Sequence, residues 1–89
     1  MNIVSELPRL LTESLEKLGI EVQRVRLEEH VSGGGLCVIK GKRAVLLDRH
    51  NSVERDVQVL TEALADAYSG DGYLPPLVRD WLDNHARPK

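Results

Sequence analysis

The apolar positions of this chain change their period several times, and each change marks an element. Leu7, Leu10, Leu11, Leu15 and Leu18 recur at three- and four-residue steps, the signature of one helix face. The spacing predicts a helix over 6–18, with Ser5 as its N-cap, Pro8 in the first turn and Gly19 as a left-handed C-terminal cap. Ile20, Val22, Val25 and Leu27 then alternate with polar residues, but the phase slips by one residue between Val22 and Val25. A strand with a bulge near Gln23 and Arg24 keeps both apolar pairs on one face.

Gly33, Gly34 and Gly35 end a predicted loop over 29–35 and lead into a hairpin. Gly41 and Lys42 fit a two-residue turn of type II′. That turn sets Ile39 opposite Ala44, Val38 opposite Val45, Cys37 opposite Leu46 and Leu36 opposite Leu47. Both faces of the hairpin are then apolar, a pattern typical of strands covered on both sides. Asn51 and Glu54 match a capping box, and Val53, Val57, Leu60, Leu64 and Ala67 continue as a helical stripe. A turn over 69–72 follows. Pro75 and Pro76 open a last helix carrying Leu77, Val78, Trp81 and Leu82, and a frayed tail covers 86–89.

The order predicts one α+β domain over residues 1–89: a helix, a three-stranded antiparallel sheet and two C-terminal helices. If all three helices share one side of the sheet, the other hairpin face is open. An apolar patch of that kind marks an interface, so either the first helix covers that face or two chains pack together, and of the two a symmetric dimer is the expectation.

Composition sharpens this picture. Fourteen Leu, ten Val and three Ile stand against one Trp, two Tyr and no Phe, so the core must be aliphatic with Trp81 as its large anchor. The net charge of −2 attracts neither nucleic acid nor an acidic membrane in general. Its distribution is uneven, with six Lys or Arg against four acids over 20–50 and two against seven over 51–85. A single cysteine excludes an internal disulfide, and the first residues lack the charged and apolar regions of a signal peptide. No apolar run reaches the ~20 residues that span a bilayer. A cytoplasmic location is the expectation.

Candidate chemistry is sparse, and no catalytic set, metal site or cofactor is predicted. Gly33, Gly34 and Gly35 could form an anion-binding nest, with Arg43 or Arg49 supplying charge and Cys37 a thiol nearby. Phosphate loops, however, run from a strand into a helix N-terminus, whereas these glycines enter a strand. His30, His50 and His85 fall in separate segments with no ligand spacing. Lys40, Lys42 and Arg43 at the hairpin tip could touch nucleic acid, but no aromatic is interleaved to stack on bases.

Two resemblances bear on these residues. The Gly33-Gly34-Gly35-Leu36-Cys37 segment and the Tyr73-Leu74-Pro75-Pro76-Leu77-Val78-Arg79 segment resemble a small bacterial family of uncharacterised proteins, over about 18–82. The element order is also similar to the zinc metallopeptidases that cleave bacterial repressors. In those enzymes a hairpin leads into a helix bearing His-Glu-x-x-His. Thr61-Glu62-Ala63-Leu64-Ala65 stands at that place, so Glu62 matches the general base while Thr61 and Ala65 replace both zinc-binding histidines. The resemblance thus implies the fold without the chemistry. The function expected from the sequence is a non-catalytic protein-interaction or self-association module. The alternatives are a small-ligand or enzymatic site at Gly33–Gly35 with Cys37, and a nucleic-acid-binding adaptor.

Overall fold

A computed structural model describes residues 3–26, 34–70 and 72–85. The elements run α1 (Ile3–Lys17), β1 (Glu21–Val25), β2 (Gly34–Ile39), β3 (Lys42–Asp48), α2 (Val53–Ala67) and α3 (Pro76–His85). The α+β class is therefore correct. The sheet is not the antiparallel one expected: its order is β1-β3-β2, with β2 antiparallel to β3 but β1 parallel to it. The physical reason lies in strand order. The hairpin turns β3 back against β2, and β1 pairs with β3 rather than with its sequence neighbour.

Helix α1 begins before the expected cap, so Ser5 is a helical residue and Pro8 sits inside the helix rather than in its first turn. Leu7, Leu11 and Leu15 are fully buried, and Leu10 and Leu18 pack at the margin. Gly19 ends the helix at φ 82°, the left-handed conformation the sequence called for.

Strand β1 pairs with β3 without interruption from Glu21 opposite Ala44 to Val25 opposite Asp48, so there is no bulge among these pairs. Ile20, just before the strand, is buried, Val22 faces the helices and Val25 faces away. Leu27, which motivated the bulge, lies outside the described residues.

The hairpin turn falls one position earlier than expected. Lys40 and Gly41 occupy its centre at φ 52° and 80°, and Ile39 pairs with Lys42, Cys37 with Ala44 and Leu36 with Val45. Two positive φ values in succession are the type I′ geometry. The register is displaced by two residues, and because side chains alternate with period two, every side chain stays on its expected face. A Cβ at Gly41 would meet nothing within 4 Å, so Gly41→Ala costs only backbone strain. A loss of about 1 kcal/mol in a urea unfolding titration is expected.

Helix α2 is capped by Ser52, whose Oγ accepts from Arg55 N at 3.1 Å, rather than by Asn51. The Asn51 amide is drawn instead to Asp56, donating to Oδ1 at 3.0 Å. Val53, placed on the apolar stripe by its spacing, is 49% exposed, whereas Val59, Thr61 and Ala63 are buried. The helix is buried more broadly than one stripe because it packs against α1, α3, β2 and β3 at once. One cluster joins Leu7, Leu11, Leu15, Val45, Leu60, Leu64, Val78 and Leu82 between the sheet and the helices. Trp81 packs on its margin and donates Nε1–H to Thr61 Oγ1 at 2.8 Å.

Candidate functional site: the sheet face turned from the helices

The register sorts the strand side chains into two faces. Val22, Leu36, Val45 and Leu47 point into the helical layer and belong to the core or pack on it. Glu21, Gln23 and Val25 of β1, Cys37 and Ile39 of β2, and Lys42, Ala44, Leu46 and Asp48 of β3 share the other face. None of that second set joins the core cluster, and among the described residues no helix crosses it.

Within this face the middle is apolar and the two ends are charged. Ala44 is buried between its neighbouring strands, and Cys37 and Leu46 are half-buried. Ile39 is 38% exposed at the hairpin end. Lys42 stands beyond Ala44 on one side, and Asp48 beyond Leu46 on the other, where its Oδ1 accepts from His50 N at 3.0 Å. A concavity of about 530 Å³ opens at the Lys42 end, bordered by Glu21, Gln23, Ile39, Lys42 and Ala44. Strand β2 forms one edge of the sheet and carries no charged residue, whereas the opposite edge, β1, carries Glu21 and Arg24. Sheet edges are usually guarded by charge, and among the described residues nothing pairs with the outer side of β2.

The residues considered for a glycine-loop site do not converge. Gly33 lies outside the described residues, as do His30 and the tail over 86–89. Gly34 and Gly35 are strand residues, paired with Leu47 and Leu46. Cys37 points to the open face while Arg43, opposite Val38, points to the helical side. Arg43 and Arg49 sit near opposite ends of β3, six residues or ~20 Å apart. Arg49 is exposed, and its backbone N–H extends the parallel pairing by donating to Val25 O at 2.8 Å.

The stretch that resembles the metallopeptidase helix is occupied in another way. Thr61 is buried, and its hydroxyl donates to Val57 O at 2.6 Å while accepting from Trp81. Ala65 offers no donor atom, and Glu62 is exposed. Among the described residues no three His, Cys, Asp or Glu side chains are placed to hold a metal ion. These groups therefore do not fit a zinc centre.

One polar cluster was invisible to sequence reasoning. Arg24 Nη2 donates to Asp56 Oδ2 at 2.6 Å, and Arg24 Nη1 donates to the Asp48 carbonyl at 3.3 Å. Residues 24 and 56 belong to different elements, and no local spacing signals their pairing.

No protein-family model, curated protein or solved structure matches this chain. Among the described residues no helix is long and apolar enough to cross a membrane.

Proposed function

We propose that this protein acts by association with a second copy of itself, through the sheet face turned from the helices. The observation that carries this reading is the charge order along β3: Lys42, then apolar Ala44 and Leu46, then Asp48, all on one face. A two-fold axis lying between two such faces, perpendicular to the strands, runs the two β3 strands antiparallel. Ala44 then meets Leu46 of the second copy, and Lys42 meets Asp48 of the second copy at both ends. An axis along the strands would instead stack Lys42 on Lys42. Isologous contacts of the first kind are self-complementary and close as a dimer.

The size of the face sets the strength. Three strands and about five residues give a surface of roughly 14 by 17 Å. That is well below the ~800 Å² per partner of a standard stable interface. The dimer is expected to form at micromolar concentration and to exchange.

Sedimentation equilibrium between 1 and 200 µM tests this. Ile39→Lys is expected to abolish association while leaving unfolding stability within about 0.5 kcal/mol, because the position is exposed. Lys42→Asp should weaken association roughly 30-fold by opposing two carboxylates, and adding Asp48→Lys should restore it. A chain that stays monomeric at 200 µM removes the proposal. Pairing edge to edge through β2 would be revealed by indifference to the charge swap.

A further inference from the structure

The far side of the helical layer carries a second surface of opposite character. Helix α3 touches α1 and α2 and, among the described residues, no strand. Between α1, α2 and α3 lies a cleft of about 330 Å³, with Trp81 on its wall and the buried Leu7 and Val57 beneath it. The Trp81 ring is stacked on His85, with centroids 3.6 Å apart and planes 16° from parallel. Its N–H is held by Thr61, so the indole cannot rotate freely at the cleft wall.

Glu54, Gln58 and Glu62 of α2 border this cleft, and Asp66 follows them at the same four-residue step. A second concavity, of about 380 Å³, continues from Glu62 and His85 to Asp66. The steps are ~6 Å each, so the row is ~18 Å long. Among the described residues none of its three carboxylates forms an ion pair, whereas Glu6, Glu13 and Asp56 are each matched by an arginine. The one basic side chain on α2, Arg55, donates to Gln58 Oε1 at 2.8 Å.

We propose that this cleft is a docking groove for a basic amphipathic segment of a partner protein. An apolar side chain of the segment packs against the Trp81 ring above the buried Val57, and flanking lysines or arginines lie over Glu54, Glu62 and Asp66. Charge complementarity selects the occupant: three unmatched carboxylates repel phosphate backbones and acidic lipid alike. Length selects it too, since ~18 Å is matched by about twelve residues of helix and exceeds a small organic cation. Laying an apolar helix face into such a groove is an established mode of peptide capture. The site is separate from the sheet face and does not depend on the dimer.

Trp81 is the chain's one tryptophan, so its emission reports on this groove alone. The full chain is titrated with a tryptophan-free 14-residue helical peptide of leucine and lysine, and with its leucine and glutamate counterpart. The lysine peptide is expected to shift Trp81 emission saturably at micromolar concentration. Glu54→Gln, Glu62→Gln and Asp66→Asn together should weaken it at least tenfold, with the helical circular dichroism unchanged because all three side chains are exposed. Asp80→Asn, on α3 outside the cleft, should leave binding within twofold. Equal binding of both peptides, indifference to the triple substitution, or an equal response to spermidine alone would each overturn the proposal.

Discussion

Leu64→Ala is expected to remove about 3–4 kcal/mol from the unfolding free energy, the loss that follows when a fully buried leucine leaves a cavity. For a domain of 89 residues the whole stability is on the order of 5–13 kcal/mol, so the variant loses a large fraction of it. The melting temperature should fall by roughly 12–30 °C. Val53→Ala is the internal comparison. Both residues lie on the same sequence stripe, but Val53 is 49% exposed and its truncation should change stability by no more than about 0.5 kcal/mol. Equal losses for the two, in paired urea titrations, would mean that α2 does not hold the central place described.

That central place explains the size of the effect. Asp56, Val57, Val59, Leu60, Thr61, Ala63 and Leu64 are all buried and cover roughly 200° of the helix circumference. A helix lying on a sheet alone would bury about half as much. The sheet and α1 take one side of this arc, and α3 with Trp81 takes the other. What remains outward is the row from Glu54 to Asp66. The same burial that fixes α2 therefore turns these acids outward, and among the described residues none of them forms an ion pair.

Much of this architecture was legible in the chain, and the failures have physical causes. The leucine stripe of α1 and the left-handed Gly19 are local features, decided within a few residues, and both stand. The two faces of the hairpin were legible as well, although its register was not. Gly41-Lys42 and Lys40-Gly41 both satisfy a two-residue turn, and nothing local chooses between II′ with glycine first and I′ with glycine second. A displacement of two residues preserves side-chain direction, so the open apolar face survives the error. Strand direction is different. Alternation of apolar and polar residues has no arrow, and the parallel pairing of β1 with β3 depends on long-range contacts. The apparent phase slip between Val22 and Val25 records that each faces a different side of the sheet. The acid rim of the α2 cleft was visible as charge asymmetry over 51–85, but its apolar wall required α1 and α3 to be brought beside it.

Asp56→Ala carries the second large effect, an expected loss of about 2 kcal/mol. Asp56 is buried and its carboxylate accepts from Arg24 of β1 and from the Asn51 amide at the end of the loop into α2. Removing it orphans two donors, a penalty of about 1–3 kcal/mol in buried surroundings. The lower part of the range for a buried ion pair applies, because the Arg24 side chain is 47% exposed and can turn to water. Asp56→Asn keeps an acceptor oxygen and the shape, and should lose about half as much. A double-mutant cycle with Arg24→Ala should return a coupling of about 1 kcal/mol. Zero coupling would reduce the pair to surface decoration. The consequence reaches the sheet, since Arg24 also donates to the Asp48 carbonyl and so fastens the end of β1 to the end of β3. Beside it, Arg49 N–H donates to Val25 O. In Asp56→Ala the Arg49 amide should exchange with solvent faster relative to the Val45 amide in the centre of the sheet. Loosening there moves Val25 and Asp48, which lie on the face proposed to meet a second copy. A buried carboxylate on the helical side thus governs how firmly the outer end of that surface is held.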